Sequence, residues 1–304
     1  MEWQSEIDAA AARIAGHVRQ TPVMVTDSFG VSIELKLEQL QHTGSFKARG
    51  AFNTLLSQDV PAAGLVAASG GNHGAAVGYA AAQLGHKAAI FVPDIAGPAK
   101  IALIERTGAD LRVVKGAYAE AFAQAQAYEV QTGAGQVHAY DALGTVAGQG
   151  TVMREWEAQG LEAHTILIAV GGGGLIAGSL AWLGGRHKVV AVEPENCATL
   201  TTARAKGMPV DVDVSGVAAN ALGARKIGKI CFELATQHNV TCVTVTDQAI
   251  VNAQTALWQQ LRQLVEPGGA TALAALMSGA YQPSPGERVA VLVCGGNIAP
   301  DPLG

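Results

Sequence analysis

Thr165-Ile-Leu-Ile-Ala-Val-Gly-Gly-Gly-Gly-Leu-Ile-Ala-Gly-Ser-Leu-Ala-Trp182 joins a β-branched apolar run to four consecutive glycines and then to a second apolar run. The uncharged stretch around it, Ile166 to Gly185, is twenty residues long, enough to span a bilayer. Four glycines inside a spanning helix would be a costly choice. A buried strand, a glycine turn and a buried helix account for the same residues without that cost. The reading is therefore a strand–turn–helix unit of an α/β protein, with no membrane as partner.

Outward from this segment, short apolar runs alternate with alanine-rich stretches of helical period. That is the pattern of βαβ units and a mainly parallel sheet. Ser5 opens a helix to about Gly16, with Ile7, Ala10, Ala11 and Ile14 on one face. From Ile33 to Leu40, apolar Ile33, Leu35 and Leu37 alternate with Glu34, Lys36 and Glu38, as in a half-buried strand. A helix is expected over 46–56. Strand–helix pairs follow at 65–68 with 72–84, 88–92 with 98–107, and 110–114 with 118–132. A helix over 144–158 leads into the 165–170 strand. Pairs at 188–192 with 196–206 and 240–245 with 247–264 come next, then a helix over 269–278 and a strand over 288–293.

The 304 residues allow two domains or one large α/β unit. A chain that is 49% hydrophobic and only 15% charged is neither disordered nor a coiled coil. Lys plus Arg is 20 against 25 for Asp plus Glu, with no basic stripe, so nucleic acid is not an expected partner. Cys197, Cys231, Cys242 and Cys294 show no CxxC or Cys/His spacing. This argues against a disulfide framework or zinc site and for a reducing, cytoplasmic setting. The acidic N-terminus, MEWQSEIDAA, lacks the order of a secretory signal.

Three glycine-rich loops each follow a strand: Ser69-Gly-Gly-Asn-His-Gly74, Gly171–Gly174 and Cys294-Gly-Gly-Asn297. Glycine there lets the backbone approach a ligand, and the free N–H groups of the next helix suit an anion. Gly171–Gly174 reads as a phosphate cradle, yet no Lys or Ser/Thr follows in the spacing of a nucleotide-hydrolysing loop. Gly172-x-Gly174-x-x-Ala177 also fits a dinucleotide fingerprint, with Glu193 placed 21 residues after Gly172 for a ribose. Locally, an oxidoreductase stays open. The discriminating segment lies upstream, at His42-Thr-Gly-Ser-Phe-Lys-Ala-Arg-Gly-Ala51. A lysine at a helix start is oddly placed, since that end prefers anions. Lys47 makes sense where an anion neutralises it or where its amine is condensed with a carbonyl. A lysine, a phosphate cup and asparagine-bearing loops are the parts that pyridoxal phosphate (PLP) requires.

Gly44-Ser-Phe-Lys-Ala-Arg49 and the three loops, in this order, make the chain similar to the threonine/serine dehydratase and serine racemase family. This is the fold type II group of PLP enzymes, related to tryptophan synthase β. The resemblance runs from about Gly16 to Asn297. It implies two open twisted α/β domains, the smaller (64–141) inserted in the larger (1–63 and 142–304), and a homodimer. By the same resemblance Lys47 would hold the cofactor as a Schiff base and later remove the substrate Cα proton. Phe46 would pack beside the cofactor, Asn72 would bond its 3′-oxygen, and Gly171, Gly172, Gly173 and Gly174 would hold its phosphate. Cys294 would face the pyridine nitrogen, and Gly216 would pass near the ring. Ser69, Gly70, Asn72 and His73 would gather the carboxylate of a small amino-acid substrate.

The implied reaction is β-elimination of L-threonine and/or L-serine to 2-oxobutanoate or pyruvate plus ammonia, an ammonia-lyase activity. Cys294 in place of a carboxylate leaves the ring largely neutral, which favours prompt elimination. Gly70 stands where racemases of the family carry a second serine, so racemisation is expected to be poor, and serine at 70 is expected to raise it. Metal-dependent members place acids near Glu193-Pro-Glu-Asn-Cys-Ala-Thr199; here Glu193 is the one weak candidate, with Thr199 where an acid would sit, so no metal is expected. The family's Asp-Gly pair is altered to Ser215-Gly216. By analogy with the family, a chain stopping at Gly304 is expected to carry no regulatory domain and to serve amino-acid catabolism. The rivals are a serine racemase or a dehydratase of another 3-hydroxy amino acid. Outside this class stand a dinucleotide-binding oxidoreductase and a catalytically silent PLP-binding sensor.

Overall fold

The computed structural model describes residues 2–116 and 118–299. Met1, Ala117 and residues 300–304, including the expected chain end at Gly304, lie outside the described residues. The chain opens with α1 (Trp3–Ile14), a hairpin of β1 (Val23–Thr26) and β2 (Ile33–Leu37), and α2 (Lys47–Leu56). Next come β3 (Leu65–Ala68), α3 (Asn72–Gln83), β4 (Ala88–Pro93), α4 (Pro98–Glu105), β5 (Asp110–Val114), α5 (Tyr118–Thr132) and the short β6 (Gly135–Gln136). Helix α6 (Leu143–Ala158) leads to β7 (Thr165–Ala169), α7 (Gly174–Leu183), β8 (Lys188–Pro194), α8 (Thr199–Lys206) and the single turn α9 (Ala219–Leu222). The described fold closes with α10 (Lys229–Gln237), β9 (Thr241–Val245), α11 (Asp247–Leu261), α12 (Pro267–Ser278) and β10 (Val289–Val293).

The strands form two sheets, ordered β1-β2-β10-β7-β8-β9 and β5-β4-β3-β6. All pairings are parallel except β1 with β2. Every residue of β7 and β10 is buried, which is why they read as continuous apolar runs. Helices α6 and α7 touch backbone to backbone, because a Cβ on Gly178 would lie 2.4 Å from the Gly150 nitrogen. The glycine of the uncharged run therefore serves helix contact inside an α/β core. No helix among the described residues is long and apolar enough to cross a membrane.

One expected element differs. The strand ends at Leu37, Glu38–Leu40 forms a 3-10 turn, and Lys36 and Glu38 are fully buried instead of facing water. Their charges meet partners carried by α2 and α6. Arg49 Nε and Nη2 donate to the two Glu38 oxygens at 2.9 and 2.8 Å, and Lys36 Nζ reaches Glu155 at 2.6 Å. Alternation of charge signalled a solvated face, but ion pairing made the same residues interior. Strands β1 and β6 and helices α9 and α10 were outside the sequence expectation.

Candidate active site

The loops that begin α2, α3, α7 and α12 and the one that ends β10 converge on one cavity. Its lining includes Phe46, Lys47, Asn72, Tyr140, Gly171–Gly174, Ala221, Glu266 and Cys294. Backbone bonds hold the lysine loop to the cysteine loop: Phe46 N donates to Cys294 O at 3.2 Å, and Gly296 N donates to Gly44 O at 2.9 Å. Side chains continue this seam. Asn297 Nδ2 donates to Thr43 O and to Asn72 Oδ1, both at 2.7 Å, and Asn72 Nδ2 donates to Glu266 Oε1 at 2.5 Å. The three asparagine- or lysine-bearing loops thus share one hydrogen-bonded wall.

Lys47 Nζ donates to Ala139 O at 2.7 Å and lies 5.2 Å from the Phe46 ring centre. Burial lowers its pKa to about 8, with Cys294 and Glu266 opposing the shift. Glu266 is pushed up to about 7 by burial, against its bond from Asn72 and the nearby lysines 100 and 47. Burial also raises the Cys294 thiol well above the ordinary cysteine value, and its Sγ–H points to Gly268 O at 3.4 Å. The cavity therefore holds an amine that is free in part near neutrality and a thiol that keeps its proton.

The glycine run is shaped by its neighbours. Gly173, at φ +90°, is the N-cap of α7, and a Cβ there would strike Cys231. A Cβ on Gly172 would enter the Tyr140 ring. No side chain caps the start of α7 and no acid stands in its first turn, so its leading N–H groups are available to an anion. Thr199 Oγ1 donates to Gly171 O at 2.7 Å and Gly228 N donates to Gly172 O at 3.0 Å, which hold the run in place. An aldehyde-bearing phosphate cofactor fits this donor set: an anion cup built of glycines, a partly neutral amine, an amide and an uncharged thiol share one cavity. Lys47, Asn72, Gly171–Gly174, Phe46 and Cys294 are the residues that would hold it.

Other expected site residues are placed differently. Gly216, at φ +87°, lies beside Asp247 and Asn196 and does not line the cavity. Ser69 Oγ accepts from Gly71 N at 3.3 Å, a turn bond within its own loop. The His73 ring donates to Val137 O, 2.8 Å away; burial, and then Lys47, hold it neutral with a pKa near 3. Neither the Ser69 nor the His73 side chain is part of the lining. A side chain on Gly70 would meet Ala96 Cβ at 2.7 Å, so the expected second-face position is directed into the 88–96 region instead of the cavity. Glu193 is the N-terminal anchor of α8: it accepts from Leu200 N at 2.7 Å and Thr201 N at 2.8 Å, and from the hydroxyls of Thr199 and Thr201. Its oxygens are thus engaged within the protein, and among the described residues no three His, Cys, Asp or Glu side chains gather.

Sequence reasoning missed Glu266 and Tyr140, both of which line the cavity. Glu266-Pro267 at the start of α12 carries a signal, since proline favours the first helical position; starting that helix at Gly269 left the acid unread. Tyr140 carries no local signal, because its role comes from a loop folding back on Gly172 and Gly174.

Comparison with known proteins agrees with this geometry. The profile of the family described as pyridoxal-phosphate dependent enzyme matches residues 14–295. A phenylserine dehydratase of Ralstonia pickettii is 35% identical over 302 residues, covering 96% of this chain and 92% of the relative. An L-threonine ammonia-lyase of Thermotoga maritima is 32% identical over 280 residues, covering 90% of this chain and 69% of the relative. Among solved structures, maize serine racemase superposes with a TM-score of 0.92 at 30% identity, covering 99% of this chain and 95% of that one. The T.th. threonine deaminase gives a TM-score of 0.90 at 33% identity, with 98% of this chain and 99% of that one covered. With its glycine cup, lysine and asparagine loops in one cavity, the chain belongs to the pyridoxal-phosphate dependent enzymes, in the fold type II group of the threonine deaminases and serine racemases.

Proposed function

We propose that this enzyme removes the hydroxyl and amino groups of L-threonine and/or L-serine by β-elimination, releasing 2-oxobutanoate or pyruvate and ammonia. The observation that carries the reading is the single cavity shared by Lys47, Asn72, Gly171–Gly174 and a protonated Cys294. When bound, PLP supplies an electron sink for bond breaking at the substrate Cα. The protein's part is to hold and orient. The N–H groups that open α7 receive the phosphate in a cup whose own four residues are glycines. Phe46 gives the cavity an apolar wall, and Asn72 is oriented by Asn297 on one side and Glu266 on the other. Lys47 Nζ is the base for the Cα proton, and a pKa near 8 supports that role because far more of it is unprotonated near neutrality than of an ordinary lysine. Cys294 brings no negative charge, which supports prompt loss of the β-hydroxyl over racemisation.

A bulkier 3-hydroxy amino acid is the second reading. It is favoured by the phenylserine dehydratase, which this chain matches over 92% of its length. The test is 2-oxo acid and ammonia formation from L-threonine, L-serine and L-3-phenylserine, with D-serine measured alongside pyruvate. Turnover of threonine or serine with little D-serine is the expected result. D-serine formation rivalling pyruvate would make the enzyme a racemase, and a cofactor-loaded protein that turns over none of the three would make it a silent binder.

A further inference from the structure

Asn297 closes the Cys294-Gly-Gly-Asn297 motif, and its amide nitrogen meets two acceptors, Thr43 O and Asn72 Oδ1, each at 2.7 Å. A backbone carbonyl can only accept, so the group that faces Thr43 has to be the Asn297 nitrogen. The second N–H of that nitrogen goes to Asn72, which has to answer with its oxygen. The Asn72 nitrogen is thereby turned to Glu266, where one N–H meets Oε1 at 2.5 Å. Asn72 Nδ2 has no other acceptor among the described residues, so its second N–H is left for the cavity that Asn72 lines. The direction of every bond in this row follows from one carbonyl.

The backbone is bent where that carbonyl is presented. Thr43 stands at φ 59° and ψ 15°, a left-handed region that residues with a side chain rarely adopt. Its hydroxyl is buried without a partner, so Thr43 joins the row through its carbonyl. Gly44 follows at φ +74°, and a Cβ on it would lie 2.5 Å from Asn297 Oδ1. At the far end Gly295 makes room for the last bond, because a Cβ there would strike Glu266 Oε1 and stand 3.3 Å from Asn72 Nδ2. Strain of this kind persists where the surroundings impose it, and it clusters at ligand sites. The row also joins the two sheets: Asn72 opens α3, while Thr43, Glu266 and Asn297 come from segments flanking strands of the six-stranded sheet.

We propose that Thr43 and Asn297 are positioning residues that make Asn72 a donor only, so that the cofactor's ring oxygen beside the aldehyde is held as an anion in preference to a hydroxyl. Asn72 and Lys47 line one cavity, and that oxygen is the cofactor's anionic group nearest the aldehyde that Lys47 takes. A bond from an N–H to a charged oxygen is about twice as strong as one to a neutral oxygen. An Asn72 turned the other way would present its own oxygen, repel the anion and favour the hydroxyl. The proposal rests on the reading of Asn72 as a residue that holds the cofactor, and it is independent of which amino acid is the substrate.

Two variants of similar size separate direction from packing and from charge. Asn297→Leu removes both N–H groups and adds no charge. Asn297→Asp keeps the shape but can only accept, so Asn72 has to turn its nitrogen to position 297 and its oxygen to the cavity. In equilibrium dialysis of the full-length, cofactor-stripped protein, the PLP dissociation constant should rise about tenfold in Asn297→Leu and roughly a hundredfold in Asn297→Asp, the range for losing a hydrogen bond to a charged group. The absorption of loaded Asn297→Asp should also move to shorter wavelength, as the ring oxygen regains its proton. Wild-type affinity in Asn297→Leu overturns the proposal, and so does an Asn297→Asp that is milder than Asn297→Leu and keeps the wild-type absorption, because shape would then be what position 297 supplies. A measurement on the unaltered chain guards against variants that fail to fold: on PLP loading, one side-chain amide proton of Asn72 should move downfield in the NMR spectrum far more than the other. Equal movement of the two overturns the proposal. If Asn72→Ala leaves PLP affinity unchanged, the reading of Asn72 falls and the proposal with it; if Asn72→Ala weakens binding while both Asn297 variants do not, the proposal alone falls.

Discussion

A single buried amine shows how position changes chemistry. Lysine condenses with an aldehyde only as the free base, and burial brings the Lys47 pKa from 10.5 to about 8. In cofactor-stripped protein the rate of PLP loading, followed by visible absorption, should therefore rise with pH to a midpoint near 8. A midpoint near 10.5 would show an unperturbed lysine, and Lys47→Ala should show neither the borohydride-sensitive absorption nor turnover above about a thousandth of wild type. Gly70 is a contrary case. The family pattern predicts racemisation from serine there, but its Cβ would be 2.7 Å from Ala96 Cβ and 3.2 Å from Val92 Cγ1. Gly70→Ser should form no more D-serine than wild type and should lose about 1–3 kcal/mol of stability to overpacking, read from denaturant midpoints. A clear gain in D-serine would mean that the loop turns that side chain into the cavity.

At the level of elements, two structures set the stage for the cavity: the start of α7 and the ion cluster under α2. Gly172→Asp puts a negative charge at the anion cup and a Cβ into the Tyr140 ring. Equilibrium dialysis should show much weaker PLP binding, and unchanged affinity would reduce the run to a packing role. Beneath α2, burial alone would raise the Glu38 pKa, but the Arg49 guanidinium holds it below the usual 4.5. Arg49 stands two residues after Lys47, so the cluster anchors the helix that carries the lysine. Removing one partner from such a buried pair costs about 3–5 kcal/mol, and Glu38→Ala should fall in or just under that range because Glu155 remains beside Arg49. The folded state favours ionised Glu38, so its contribution is complete above pH 4.5 and is lost as the pH falls towards the lower folded value. Glu38→Gln should accordingly flatten the acid limb of the stability profile; an identical limb would remove Glu38 from the account.

Across the whole molecule, the two sheets meet at the cavity, with Asn72 brought by the four-stranded sheet and Gly171–Gly174 by the six-stranded one. We propose that 64–141 is a unit inserted between 1–63 and 142–304. Cofactor loading should then slow amide exchange both at Asn72–Gly74 and at Gly171–Leu175, and protection confined to one of them would contradict a shared site. The sequence by itself determined the βαβ succession, since apolar runs and alanine-rich periods are local, and it marked Lys47, Asn72, Gly171–Gly174 and Cys294, since glycine loops and a helix-start lysine are local patterns too. Only the tertiary structure decided which side chains reach the cavity. It turned His73 to Val137, aimed position 70 at Ala96, and engaged Glu193 with α8. It also brought Glu266 and Tyr140 from distant segments. Direction and burial arise from packing between sheets, a contact between residues far apart in the chain that no local pattern records.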